Sequence, residues 1–198
     1  MIKNYFKVAW RNLMKSKGYS AINIGGLAVG MAVAMLIGLW VYDELSFDKY
    51  HKNYERIAQV MQHANYNGKV ETQVSNPALM GPELRNKYGD NFKYVVQSSW
   101  TGGHLLSVGD KHITKVGTFF EPDAPDMLSL KMLKGTRAGL KDPYSIILSA
   151  SAAESIFGKD DPINKVVKLD RNVDLKVTGV YEDLPDNTSF RDTKIMMP

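Results

Sequence analysis

The chain of 198 residues contains no cysteine. This absence excludes structural disulfides, thiolate metal sites and cysteine nucleophiles. It does not identify a cellular compartment, because an extracytoplasmic domain of this size can be stable without disulfides. Histidine is also scarce: the four histidines show neither HxxxH nor HExxH spacing, so we predict no metal site from them.

Catalytic and nucleotide-binding motifs are missing as well. There is no GxSxG nucleophile motif. The stretch FGKD, which begins at Phe157, is not a phosphate-binding loop, because Ala153 replaces the first glycine and Asp160 replaces the Ser or Thr after the lysine. Asp160 and Asp161 precede a proline, which is more typical of a turn than of a catalytic pair. We therefore expect no catalytic residue, no bound cofactor and no enzymatic activity in this chain.

Acidic residues are absent from the first 17 positions, which hold five lysines and arginines. The remainder of the chain has 20 basic and 21 acidic residues, so the net charge of +4 comes from the N-terminus. A protein that binds nucleic acid needs its basic side chains on the folded domain. Nucleic acid is therefore not an expected partner.

Residues 1–17 have the pattern of an amphipathic basic helix. The apolar residues that recur at helical spacing are Ile2, Phe6, Ala9, Trp10 and Leu13. The basic residues that repeat every four positions are Lys3, Lys7, Arg11 and Lys15. Such a helix lies in the interface of a membrane, and the basic residues anchor it there. The alternative is a charge cluster that only sets membrane topology.

Residues 18–42 carry no charge. As a helix of 25 residues they would reach about 37 Å, enough to cross a hydrocarbon core of about 30 Å. Trp40 and Tyr42 lie at the far edge, where aromatic side chains anchor a spanning helix at the interface. We predict a transmembrane helix over 18–42. A cleaved signal peptide is the competing interpretation, but its apolar region is usually only 7–15 residues long.

The flanking charges predict the orientation of this helix. Basic residues precede it and acidic residues follow it, so the positive-inside rule places the N-terminus in the cytoplasm and residues 43–198 outside. Gly26 and Gly30 are four positions apart, a spacing that lets a second transmembrane helix approach closely. Ordinary enrichment of glycine in spanning helices is the alternative explanation.

The region after residue 42 predicts an α+β domain, with no second segment able to span a membrane. A hairpin is expected over 56–75 with its turn at Asn67-Gly68, and a helix is expected over 76–89 with Asn76 as N-cap. A second helix is expected at 151–158, where Gly158 ends it. Strands are predicted at 92–100, 112–120, 145–149, 164–170 and 174–185. Helices and strands interleave without a regular repeat, which favours α+β over a doubly wound sheet.

Three segments of this region resemble a known family. They are DELSFDKYHKNYERIAQV at 43–60, FFEPDAPDMLSLKMLKGTRAGLKDPYSIILSASAAESIFGKDDPINKVVKLD at 119–170, and LKVTGVYEDLPDNTSF at 175–190. Together with the basic start and the apolar segment, their order is similar to the MacB-like periplasmic core domain of FtsX-type ABC transporter permeases. The resemblance covers nearly the whole chain, 1–198. It departs at Asn164, where the family usually has glycine.

This resemblance implies a permease component that couples cytoplasmic ATP hydrolysis to export or mechanotransmission across the envelope. The implied partners are a cytoplasmic ABC ATPase subunit, a second permease protomer, the lipid bilayer, and a periplasmic adaptor or envelope substrate. ATPase activity would belong to the separate subunit. The chain would sit in the inner membrane as a single-pass N-terminal portion of a permease, because the family has further spanning helices after the core. The alternative is a single-pass, membrane-anchored periplasmic binding or sensor module.

Overall fold

The first of two compact units consists of two helices and ends at Phe47. In the computed structural model, which describes residues 2–198, α1 spans Ile2–Lys15 and α2 spans Lys17–Ser46. Ser16 separates them with φ −118° and ψ 59°, outside the helical region, so the helix is interrupted there. Within the described part of the chain, α2 alone is long and apolar enough to cross a membrane by length and composition.

The apolar helix is longer than the charge-free segment. It continues one turn beyond Tyr42, so Asp43 and Glu44 belong to its last turn. The Ser46 hydroxyl donates to the Asp43 carbonyl at 3.1 Å, and the Phe47 amide closes the helix on the Glu44 carbonyl at 3.3 Å. Helical geometry therefore extends into the polar sequence that follows the apolar run.

The second unit, Asp48–Pro198, begins with a short 3-10 turn at Tyr54–Arg56 and a two-stranded hairpin. Strand β1 spans Gln62–Tyr66 and β2 spans Lys69–Gln73. Asn67 and Gly68 both have positive φ, 53° and 84°, which is the conformation of a type I′ turn. The predicted hairpin and its turn are confirmed, but β1 begins six residues later than expected because the 3-10 turn occupies its predicted start.

Two local predictions between residues 76 and 100 are wrong. Helix α3 spans Met80–Tyr88 and is preceded by Leu79, with no side-chain cap. Asn76 instead donates to the carbonyls of Val60 and Val74, at 2.8 and 3.1 Å, and fastens the loops beside the hairpin. The segment 92–100 is not a strand: its one ladder contact is a bridge from Ser98 to Phe120. The segment pairs no further because other strands of the main sheet already pair with both edges of the strand Lys111–Phe119.

The main sheet has seven strands. In chain order, its strands and the two helices between them are β3 (Gly102–Val108), β4 (Lys111–Phe119), α4 (Ala124–Met127), β5 (Met132–Gly135), β6 (Ser145–Ser149), α5 (Ala150–Phe157), β7 (Val166–Leu169), β8 (Val173–Tyr181) and β9 (Ile195–Met197). The spatial order is β5-β8-β6-β9-β4-β3-β7. Strand β7 also pairs with β8, so the sheet curls back on itself.

Parallel and antiparallel pairs are mixed in this sheet. β6 runs parallel to β8, and β4 runs parallel to β9, while the remaining pairs are antiparallel. The predicted strands at 112–120, 145–149, 164–170 and 174–185 and the helix at 151–158 are confirmed, with shifts of a few residues at their ends. Strands β3, β5 and β9 were not predicted, since two are four residues or shorter and β3 is rich in glycine and polar residues.

Both faces of the sheet are buried, and alternate residues divide between two cores. On β6, Ile146 and Leu148 join α5 in one core, while Ile147 points into the other. On β9, Ile195 and Met197 lie in the same core as α5, and Met196 lies in the other. This period of two explains why SIILS is a continuous apolar run rather than an alternating one. Each such side chain contributes about 1.5–3 kcal/mol by leaving water. The fold class is α+β, as predicted.

The departure at Asn164 fits its backbone. Asn164 has φ 63°, in the left-handed region that glycine adopts freely and asparagine tolerates better than most residues. Its amide donates to the Val177 carbonyl at 2.9 Å. Asparagine is therefore compatible with the left-handed conformation of this turn.

Candidate functional site

A partly buried polar cluster forms where the second unit begins. We call it the Asp48 cluster; its members are Asp48, His51, Leu128, Ser129, Thr188 and Ser189. The Asp48 carboxylate accepts hydrogen bonds from the Thr188 hydroxyl at 2.6 Å, the Ser189 amide at 2.8 Å and the Ser189 hydroxyl at 2.7 Å. The Asp48 amide donates to the Asn187 carbonyl at 2.9 Å. Asp48 therefore binds one short loop through both its side chain and its backbone.

The hydrogen bonds decide the ionisation of Asp48. Partial burial raises the pKa of this carboxyl, but the bonds from Thr188 and Ser189, together with the nearby His51, lower it by more. The net pKa lies below its ordinary value. Asp48 is therefore a carboxylate at neutral pH, and its bonds are charge-assisted.

His51 is buried, with 2% of its surface exposed, and both ring nitrogens contact oxygen atoms. Nδ1 lies 2.8 Å from the Leu128 carbonyl, which only accepts, so Nδ1 carries a proton. Nε2 lies 3.2 Å from the Thr188 hydroxyl, whose one proton is directed to Asp48. Both ring nitrogens of His51 therefore have oxygen partners, and the Asp48 carboxylate lies on the far side of the Thr188 hydroxyl.

The cluster joins three segments that are distant in sequence. His51 and Thr188 are 137 positions apart, and the Lys52 amide donates to the Ser129 hydroxyl at 2.9 Å across 77 positions. Aromatic rings surround the imidazole edge-on: Tyr50 at 5.4 Å and Phe190 at 5.9 Å between centroids. The start of the unit is thus held against its sheet by both polar and aromatic contacts.

Sequence reasoning did not identify this cluster. Its residues lie inside all three of the segments that resemble the permease family, but no short spacing connects Asp48 with Thr188. The available signal was limited to the presence of several hydrogen-bonding side chains in each motif, FDKYH and PDNTS. Only the fold brings the two motifs together.

A second tie fastens α3 to the sheet. The Arg85 guanidinium makes two hydrogen bonds to the Glu121 carboxylate, both at 2.7 Å, and a third to the Val95 carbonyl at 2.7 Å. The hydrogen bond from Arg85 lowers the pKa of Glu121 against the effect of partial burial. Glu121 also accepts from the Gln97 amide at 3.0 Å. The helix that follows the hairpin is therefore attached through a bidentate ion pair.

The membrane residues predicted from the sequence lie in the first unit. Gly26 and Gly30 are exposed on α2, and a Cβ built on either would meet no atom of the described residues within 4 Å. Their contact with a second helix stays a prediction. The same holds for the proposed interface anchors, which are all exposed: Lys3, Lys7, Arg11, Lys15, Trp40 and Tyr42.

The aspartates near residue 160 have structural partners. Asp161 accepts from the Lys134 ammonium at 2.9 Å and from the Ile163 amide at 3.3 Å, and Asp160 accepts from Lys165 at 3.0 Å. These contacts hold the loop after α5, in agreement with the turn expected there. Among residues 2–198, no three His, Asp or Glu side chains are grouped so that they could hold a metal ion.

The described chain thus consists of an apolar helix followed by an α+β domain with a curled mixed sheet. Residues 20–198 match the family described as MacB-like periplasmic core domain. The chain belongs to this family, as its sequence motifs predicted. No curated protein matches the chain at a significant level.

Three solved structures are similar to this chain. A domain of a protein described as a permease from Porphyromonas gingivalis has a TM-score of 0.56 at 20% identity, over 66% of this chain and 55% of that one. The periplasmic region of MacB from Actinobacillus actinomycetemcomitans has a TM-score of 0.47 at 20% identity, over 60% and 52%. The extracellular domain of the noncanonic ABC-type transporter YknZ from Gram-positive bacteria has 0.47 at 22% identity, over 62% and 64%. The aligned part thus spans about half to just under two thirds of each solved chain.

Proposed function

We propose that this chain is the N-terminal part of an FtsX-type ABC transporter permease that passes mechanical work from the cytoplasm to the periplasm. Residues 1–17 lie at the cytoplasmic face, residues 18–42 cross the inner membrane, and residues 43–198 form the periplasmic domain. A separate cytoplasmic ATPase subunit hydrolyses ATP. The periplasmic domain moves in response and acts on an adaptor or on an envelope substrate.

The Asp48 cluster is the observation that carries this proposal. Phe47 alone separates the end of α2 from Asp48 in the sequence, so a displacement of the helix end is passed to Asp48 through one residue. From Asp48 the displacement reaches Thr188 and Ser189 through three hydrogen bonds of 2.8 Å or less. Short, charge-assisted bonds resist stretching better than neutral ones. The cluster is therefore suited to transmit force into the sheet with little loss.

A second protomer is the expected neighbour of α2. Gly26, Gly30 and Ala34 are each four residues apart and share one face of the helix. Small residues on a face let another helix approach until backbones touch. In lipid, this close approach favours a helix dimer. A dimer of permease protomers would let two periplasmic domains move together.

Membrane topology is tested with single cysteines, because the natural chain has none. We would introduce Asn12→Cys on α1 and Lys141→Cys in the outer domain, both at exposed positions. A membrane-impermeant maleimide should label Lys141→Cys in intact spheroplasts and Asn12→Cys only after permeabilisation. The opposite pattern would reject the proposed orientation, and a chain shortened at its N-terminus would show that the apolar segment is a cleaved signal peptide.

Coupling is tested in the complex isolated from native membranes. An ATP-hydrolysing subunit should co-purify with the protein, and ATP should change hydrogen exchange in segments 48–52 and 187–190. Thr188→Val should remove this response, whereas Thr193→Val, another buried threonine, should keep it. If the exchange of both segments is the same with and without ATP, the chain is not a coupler. A response to an envelope ligand alone would then favour the anchored sensor module.

A further inference from the structure

Helix α1 presents a continuous basic face. Lys3, Lys7, Arg11 and Lys15 follow one another at four-residue intervals, which turns each by about 40° from the last and places all four within about 120° over about 18 Å. All four are exposed. The helix contains no acidic residue, and none of the described acidic side chains forms an ion pair with these four. This concentration of positive charge has no counter-charge within the described chain.

The side of α1 next to the basic face is apolar and uncovered. Phe6 and Trp10 are 73% and 66% exposed, and Leu13 follows on the same side. Two large aromatic residues on one exposed stripe form a patch that water solvates poorly. A helix with a basic face and an adjoining face of Trp, Phe and Leu has the composition of helices that lie in a lipid interface.

The break at Ser16 allows this placement. An uninterrupted helix through residues 2–46 would continue α1 along the axis of α2 and carry it away from the bilayer. Because Ser16 leaves the helical conformation, α1 can depart from that axis directly at the start of α2. The helix can then lie along the headgroup region, with its basic face at the lipid phosphates and its apolar face toward the acyl chains.

From this geometry we propose that α1 binds anionic phospholipid, with its four cations on lipid phosphates and with Phe6, Trp10 and Leu13 among the upper acyl chains. The inference goes beyond the proposed function, which requires only that α2 spans. It assigns a ligand class, anionic glycerophospholipid, to the exposed surface of α1. A zwitterionic bilayer would bind this surface less strongly. Charge complementarity selects this occupant over a protein surface: four cations in a row match a sheet of phosphates, and the apolar stripe matches hydrocarbon at its edge.

Electrostatics gives the expected size of the preference. Each Lys or Arg near an anionic membrane surface strengthens binding by roughly fivefold. Four such residues give an upper limit of several hundredfold, reduced where a cation does not reach a headgroup. Raising ionic strength shortens the Debye length and weakens the preference.

The test uses the full chain reconstituted in nanodiscs, with Trp40→Phe and Trp100→Phe so that Trp10 is the only tryptophan. Nanodiscs of pure phosphatidylcholine are compared with nanodiscs in which a third of the lipid is phosphatidylglycerol, and Trp10 is followed by its emission maximum and by quenching from brominated acyl chains. We expect a blue-shifted, quenched Trp10 in the anionic nanodiscs, and a loss of both effects in high salt.

Two matched variants distinguish the effect of the basic face of α1 from an effect of the net charge of the chain. Removing the charge of Lys3, Lys7, Arg11 and Lys15 by substitution with Gln should abolish the difference between the two lipids while keeping helix propensity. Removing four exposed lysines of the outer domain in the same way should leave it unchanged; these are Lys69, Lys141, Lys159 and Lys176.

Three results would overturn the proposal. These are equal quenching in both lipids, an unaltered lipid difference in the α1 variant, or protection of Trp10 only when a cytoplasmic subunit is added. The last would identify a protein as the occupant. The nanodiscs contain no ATPase, so a negative result here leaves the coupling role untouched, and the cysteine-labelling experiment reports separately on whether α2 spans.

Discussion

The hydroxyl of Thr188 is the central atom of the Asp48 cluster, and replacing this residue with valine tests the cluster most directly. Valine has nearly the same shape and volume as threonine, so the change removes one hydroxyl without opening a cavity. Thr188 is buried, with 1% of its surface exposed, and water cannot readily replace the lost group. The substitution removes the 2.6 Å bond to Asp48 and the 3.2 Å contact with His51 together.

The expected loss of stability can be derived from these contacts. A hydrogen bond to a charged group contributes about 1.5–3 kcal/mol, and a buried donor left without a partner costs about 1–3 kcal/mol. Here Asp48 keeps two bonds from Ser189, whereas the buried Nε2 of His51 loses its partner, the Thr188 hydroxyl. The two effects share one hydroxyl and do not simply add. We expect Thr188→Val to lower the free energy of unfolding by about 3 kcal/mol.

Thr193→Val is the matched control. Thr193 is equally buried, but its hydroxyl contacts only another neutral hydroxyl, that of Thr118 at 3.4 Å. Its loss should cost about 1 kcal/mol or less. The measurement is urea-induced unfolding of the full chain in detergent, combined with hydrogen exchange at residues 187–190. Equal losses in the two variants, or a Thr188→Val protein as stable as the natural one, would show that the hydroxyl does not join Asp48 to His51.

Two further predictions concern acid and backbone conformation. Since the folded-state pKa of Asp48 is depressed, its contribution to stability is present above the unfolded value of about 3.9 and disappears as pH falls through the folded value. The stability difference between the natural chain and Asp48→Asn, measured by urea unfolding at several pH values, should be constant near neutrality and vanish in strong acid; a constant difference throughout would contradict this. Gly135 has φ 70°, and a Cβ there would collide with the Thr178 carbonyl, so Gly135→Ala should destabilise by about 3 kcal/mol. Gly68→Ala, with φ 84° but open surroundings, should cost only about 1 kcal/mol by the same assay, and similar losses in the two variants would refute the steric argument.

Errors in the predicted fold have a common physical origin. Asn76 has the sequence signature of an N-cap, yet its side-chain amide bonds the Val60 and Val74 carbonyls instead, because packing of the hairpin loops places those acceptors within reach. Residues 92–100 have strand-forming composition, but no strand edge is available to them and they form only the bridge from Ser98 to Phe120. Strand β9 is three residues long and is a strand only because β4 and β6 flank it. Local propensity cannot decide such cases, since the competing partners are distant in sequence.

The amino-acid sequence by itself determined what depends on neighbouring residues. A run without charge, a basic start at four-residue spacing, the Asn67-Gly68 turn and the apolar SIILS strand are local patterns, and hydrophobicity and backbone preference act on them wherever the rest of the chain lies. Only the tertiary structure decided that Asp48, His51 and Thr188 meet. Their contact requires the sheet to close and to bring together segments 137 residues apart, and a hydrogen bond, unlike a hydrophobic period, has no signature in the sequence until both partners are in place.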